Sequence, residues 1–228
     1  MKFKKIMSKE VPVPSVMPID RDAWVDEISL SNFINSYYQY RDIRQCGNIN
    51  TILLIGVGQG LDAKVLKWRN YEVKTMDIDE LLNPDIVGSV HDLSSFDDSC
   101  FDAVIVSHVL EHLAEPYLDT CLSELSRVGK YVLIYLPIAG RHFQLRMKMD
   151  FKGIDLSLYF DLLNYLKRPD GITPSFSMGQ HYWEVGMRGF KEKDIVRKIS
   201  KYFHLISIYR NQDWNSSLNF ILKSRKWH

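Results

Sequence analysis

The stretch TILLIGVGQGLDAKVLKWRNYEVKTMD, residues 51–77, constrains this chain more than any other. Thr51 to Ile55 is a short apolar run of the kind a parallel sheet buries on both faces. It leads into Gly56-Val57-Gly58-Gln59-Gly60, where alternating glycines let the backbone turn sharply and let a bulky ligand approach it. Leu61, Val65, Leu66 and Trp68 then recur at roughly helical spacing, so the glycines sit at a helix N-terminus. A second strand, Tyr71 to Met76, delivers Asp77 at its C-terminal end, where a carboxylate can accept hydrogen bonds from both hydroxyls of a ribose. The spacing predicts a βαβ unit with a nucleotide-type pocket at its turn.

Spacing also separates the possible ligands. A dinucleotide fingerprint reads G-x-G-x-x-G, but position 61 is Leu and the third glycine comes one residue early, which counts against a nicotinamide oxidoreductase. No Lys-Ser or Lys-Thr pair follows, so a P-loop is excluded. Glycine turn and acid together resemble the class I S-adenosylmethionine (SAM)-dependent methyltransferases, whose first motif has the form G-x-G-x-G. The resemblance implies that Gly56, Val57, Gly58 and Gly60 face the methionine part of SAM and that Asp77, followed by Ile78, holds its ribose. Asp92, beside Leu93, stands where that family places an acid on the adenine amino group; a turn or cap role is the other reading. Phe101 to Val106 reads as a buried strand, with Asp102 near its start, that brings Ser107 and His108 to the crevice of an open parallel sheet. The run SFDDSCFDAVIVSHVLEHL is similar to one in many small-molecule methyltransferases, and the resemblance extends over residues 51–137.

The same residues spell His108-Val109-Leu110-Glu111-His112, an H-x-x-E-H pattern that could hold zinc if the histidines shared a helix face. Catalytic zinc needs a third protein ligand, and none stands nearby in sequence, so no metal is expected and His112 reads as a packing or hydrogen-bonding residue. A net charge of +1 without a basic stripe excludes bulk nucleic-acid binding. The three cysteines, Cys46, Cys100 and Cys121, suit a reducing compartment, and the apolar run from Tyr131 to Ile138 is too short to span a bilayer. The N-terminus reaches Val-Pro-Val-Pro without the apolar stretch of a signal peptide. These features predict a soluble, cytoplasmic protein.

The 228 residues suit one α/β domain: a Rossmann-like, seven-stranded, mostly parallel sheet with helices on both faces and an antiparallel C-terminal strand. We divide it into an N-terminal arm and cap helix (1–48), a SAM-binding core (49–137), an acceptor-recognition insertion after the fifth strand (138–190) and a C-terminal helix and hairpin (191–228). The cap helix, Trp24 to Tyr40, carries Ile28, Leu30, Phe33, Ile34, Tyr37 and Tyr38, which either pack on the sheet or cover the SAM pocket. Within the insertion, Leu156 to Leu166 reads helical and 168–179 reads as a loop. Arg141, His142, Arg146, Lys148 and Lys152 suggest an anionic acceptor or a solvated basic face. In Gln180-His181-Tyr182-Trp183-Glu184, His181 suits a general base, and Tyr182 or Trp183 could wall off an acceptor.

By the resemblance the chain methylates a small-molecule acceptor from SAM, leaving S-adenosylhomocysteine (SAH). A hydroxyl acceptor would require a base, for which His181, His142 and His108 are the candidates. The HYWE segment looks similar to methyltransferases of surface-polysaccharide precursors, which implies O-methylation of a sugar or its phosphorylated precursor. N-methylation of a small amine and SAM binding without catalysis are the alternatives. A monomer or homodimer is expected.

Overall fold

The computed structural model describes residues 29–149, 153–162 and 181–227. Its elements are α1 (Leu30–Ile43), β1 (Thr51–Ile55), α2 (Leu61–Trp68), β2 (Glu72–Asp77), β3 (Ile86–Val87), β4 (Phe101–Ser107), α3 (Leu118–Val128), β5 (Gly129–Pro137), β6 (Arg141–Met149), β7 (Ile154–Leu162), α4 (Glu192–Ile199), β8 (Phe203–Arg210) and β9 (Ser217–Ser224). Seven strands form one sheet in the order β3-β2-β1-β4-β5-β9-β8. The first five run parallel, and β9 inserts antiparallel between β5 and β8.

Successive strand residues point to opposite faces, and in the central strands both faces are dry. Leu53, Ile55, Val104, Val106, Val132 and Ile134 face a core closed by Leu122 and Leu125 of α3, Ile195 and Ile199 of α4, and Trp183. Ile52, Leu54, Ala103, Ile105, Leu133 and Tyr135 face the other side, against Ile43 of α1 and Leu66 of α2. Helices therefore cover both faces of a Rossmann-like sheet. Asp102 joins β4 to the start of β1 by accepting from the N–H groups of Asn50 and Thr51, both at 2.9 Å, and from the Thr51 hydroxyl.

Two expectations need correction. Residues 154–162 form a strand instead of the start of a helix: Ile154, Leu156, Leu158 and Phe160 alternate with period two and pair antiparallel with β6. This ribbon turns Phe143, Leu145 and Met147 of β6 and Leu156, Leu158 and Phe160 of β7 outwards. Helix α1, in turn, buries only part of the apolar set named for it. Leu30, Phe33 and Tyr37 are exposed, while Ser36, Gln39 and Asp42 are buried with Tyr38 and Ile43. Its inward face is polar because it meets polar partners: Asp42 accepts from the hydroxyls of Tyr135 (2.8 Å) and Tyr209. The N-terminal arm, the first turns of the expected cap helix, Lys152 and the 168–179 loop lie outside the described residues. Among the described residues no helix is long and apolar enough to cross a membrane.

Candidate functional site

In the sheet order, the chain leaves β1 towards β2 on one side and β4 on the other, so a crevice opens beyond the C-terminal ends of β1 and β4. The glycine turn fills its floor. Gly56 donates its N–H to the Met76 carbonyl at 2.9 Å with φ at +89°, and a Cβ there would stand 2.5 Å from Val109 Cγ2. Only glycine meets both conditions. Gly60 caps α2 in the left-handed region and donates to the Val57 carbonyl at 2.8 Å. Asp77 grips the same turn: one carboxylate oxygen accepts from the Val57 N–H at 2.7 Å, the other from Asp79 N–H at 2.9 Å. Each oxygen keeps a lone pair, which is what a pair of ribose hydroxyls requires.

Above this floor lies a cavity of about 440 Å³, within the size range of small-molecule and cofactor sites. It is lined by Gly56, Val57, Gly58, Asp77 and Ile78, continues past Gly88, Ser89 and Val90, and reaches Ser107 and His108. Ser31, Asn32 and Asn35 of α1 form another wall. Asn35 donates to the Ser107 hydroxyl at 3.1 Å, and Asp62 in the first turn of α2 accepts from Ser36 and, at 2.7 Å, from Gln39. Burial pushes the Asp62 carboxyl above its ordinary pKa despite those bonds. The open turn, the spare acceptor capacity of Asp77 and the cavity volume fit a nucleoside carrying an amino-acid tail, as SAM does.

The opposite end of the cavity is ionisable. His108 leaves β4 with φ at +53°, a strained conformation for a non-glycine residue. Its ring packs against Trp214 in a tilted contact with centroids 4.7 Å apart, and its Nδ1 lies 3.6 Å from Oε1 of Glu111. Glu111 is fully buried, lines the cavity, and among the described residues has no hydrogen-bond partner of normal length on either carboxylate oxygen. Burial opposes its charge, but His108, His112 and His181 around it hold its pKa below the usual carboxylate range. His181 arrives from the far side of the insertion, because the Tyr182 N–H donates to the Glu111 carbonyl at 2.8 Å. Its Nδ1 bonds Glu184 at 2.6 Å and its ring meets His112 at 4.7 Å, edge to face. Burial lowers the His181 pKa, but Glu184 and Glu111 outweigh it and leave the ring more basic than an exposed imidazole.

Comparison with known proteins agrees with this layout. Residues 53–131 match the family model of the methyltransferase domain. The fold is that of SAM-dependent methyltransferases. Protein PH0226 of Pyrococcus horikoshii OT3 superposes with a TM-score of 0.57 at 15% identity, over 89% of this chain and 96% of that one. A SAM-dependent methyltransferase of Archaeoglobus fulgidus gives 0.52 at 16% identity, over 84% and 94%. The 1,6-didemethyltoxoflavin-N1-methyltransferase of Burkholderia thailandensis, solved with its acceptor and SAH, gives 0.52 at 14%, over 93% of each chain. No curated protein matches the sequence.

Within this methyltransferase fold, several expected residues stand elsewhere. Asp92 is exposed and accepts from the Ser94 N–H at 3.1 Å, closing a turn outside the cavity. Leu93 is core, and its N–H is taken by Glu124 at 3.1 Å. Gly88, Ser89 and Val90 occupy the wall where Asp92 and Leu93 were expected. Gly60 shapes the turn without lining the cavity. His142 lies outside: its Nε2 bonds the Ile138 carbonyl and its Nδ1 accepts from Arg210, both at 2.8 Å. Trp183 and Tyr182 wall off no acceptor; Trp183 is fully buried, stacked on Phe190, and donates to the Leu113 carbonyl. Arg146 is held by Asp155 and Asp213, so it offers no open anion site.

Sequence reasoning missed Asn35, Asp62 and Trp214, whose placement depends on packing between distant segments. It also gave His112 no site role, although the H-x-x-E-H pattern was the available signal. The pattern works differently than in a zinc helix: Leu110–His112 is a single 3-10 turn, and folding brings in His181 as a third group.

Proposed function

We propose that this chain transfers the methyl group of SAM to a hydroxyl of a small, polyhydroxylated acceptor, in the first instance a sugar or sugar precursor of a surface polysaccharide, and that it acts in the cytoplasm. The observation that carries this reading is that one cavity holds the glycine turn and Asp77 at one end and His108, Glu111 and His181 at the other. SAM supplies a methyl carbon on a sulfonium; the acceptor oxygen bonds that carbon as the carbon–sulfur pair stays on sulfur in SAH. The chain's part is to hold the donor ribose at Asp77, to place the acceptor by proximity and to receive its proton. Among the described residues His108, His112 and His181 are the imidazoles that line the cavity, and His108 takes that proton. Because Arg146 is already paired, the reading needs no charge on the acceptor.

An amine acceptor is the second reading, favoured by the toxoflavin N1-methyltransferase among the structural neighbours. The two separate in one assay of SAH release against a panel of sugars and small amines. The hydroxyl reading predicts turnover with a sugar, a rate that rises as an imidazole loses its proton, and a loss of about 10²-fold or more in kcat for His108→Ala or His181→Ala. Turnover only with amines would overturn it, and SAH binding without turnover on any acceptor would point to a binding protein.

A further inference from the structure

We infer that Glu111, His112 and His181 form a divalent transition-metal site on the acceptor side of the cavity, and that the metal holds the acceptor oxygen. The inference rests on the methyltransferase reading for the metal's role, but not for its binding.

Three independent observations support the site. One ligand atom from each of the three residues lies within 4.8 Å of the others, so a rotamer-scale closure brings them around one ion. Glu111 is buried, and both its oxygens lack a hydrogen bond of normal length among the described residues. A buried carboxylate whose nearest charged neighbour is the His108 ring at 3.6 Å is costly unless a closer cation joins it. The third observation is the bond from His181 Nδ1 to Glu184, which leaves Nε2 as the nitrogen able to bind a metal. Metal-ligating histidines are characteristically oriented by such a carboxylate on the other ring nitrogen. The Tyr182 N–H to Glu111 carbonyl bond fixes the two contributing segments against each other, so the site is assembled by backbone and not by surface side chains alone.

Two imidazoles and one carboxylate suit zinc, cobalt, manganese or ferrous iron, and suit magnesium or calcium poorly, since those prefer oxygen. Three protein ligands leave coordination positions open, as in catalytic and not structural sites. Those positions would face the cavity that also holds the glycine turn, where an acceptor oxygen would enter between the metal and the donor end. A cation held there would lower the pKa of that oxygen's proton, and His108, which lines the same cavity 3.6 Å from Glu111, would receive it.

The test is calorimetric titration of the chelator-treated, full-length protein with Zn²⁺, Co²⁺ and Mg²⁺, with Co²⁺ also followed by its visible absorption and SAH titrated in parallel. The site predicts one Zn²⁺ or Co²⁺ per chain, much weaker Mg²⁺, and at least a tenfold loss of Zn²⁺ affinity in Glu111→Gln, His112→Ala and His181→Ala. His142→Ala, outside the cavity, retains full affinity. Should Glu111→Gln fail to fold, the two histidine variants decide. Absence of stoichiometric Zn²⁺ and Co²⁺ binding by protein that still binds SAH overturns the site, as does equal binding by the wild type and both histidine variants. Metal binding without SAH binding would leave the site standing and remove the methyltransferase reading instead.

Discussion

Gly56 shows how a single residue commits the chain to its pocket. A methyl group there would collide with Val109 and occupy a left-handed backbone conformation, so Gly56→Ala is expected to cost about 1–3 kcal/mol in urea denaturation and to weaken SAH binding with it. Asp102 makes a different kind of commitment. Burial pushes its carboxyl up, yet the bonds from Thr51 and Asn50 outweigh burial and hold its pKa below that of an unstructured Asp, about 3.9. With the folded pKa depressed, its contribution is fully present above that unfolded value and is lost as pH falls through the folded one. Acid titration of stability should therefore show a smaller loss below about pH 4 in Asp102→Asn than in the wild type. The position of Asp77, Gly56 and Gly58 at the cavity was legible because a carboxylate at a strand end and a glycine turn leave local signatures. Asp92 was not, because nothing local distinguishes an adenine ligand from an acid closing a turn on Ser94.

At the level of elements, α1 is held to the core by polar contacts. Asp62→Ala would strip the acceptor from Ser36 and Gln39, and we expect faster hydrogen exchange over residues 30–43 with little change in the central strands. Leu122→Ala on α3 acts oppositely, through the apolar face of the sheet, and should cost about 2–5 kcal/mol in global stability. The contrast explains what could be read in advance. α3 and β1, β4 and β5 are set by apolar periodicity or runs, which a sequence displays directly. α1 buries serine, glutamine and aspartate because the surface beneath it is polar, and it leaves Leu30 and Phe33 exposed, which apolar periodicity alone does not show. Leu156 to Leu166 reads as helical, whereas the period-two alternation over 154–162 is a strand signal that pairing with β6 realises.

Across the whole molecule, the parallel core and the closing antiparallel hairpin followed from element order, since such sheets place their ligands beyond the strand ends at the change of direction. The ionisable end of the cavity did not, because it joins residues 108–112 to 181 and 214 through tertiary contacts. Its meaning depends on the donor end being what the turn implies. The direct test of that claim is calorimetric titration of the purified chain with SAM and SAH, beside Asp77→Ala and an NAD control. The account predicts micromolar binding of both ligands, at least a hundredfold weaker in the variant, and none for NAD. Failure of the wild-type chain to bind SAM or SAH, or equal binding by Asp77→Ala, would contradict it.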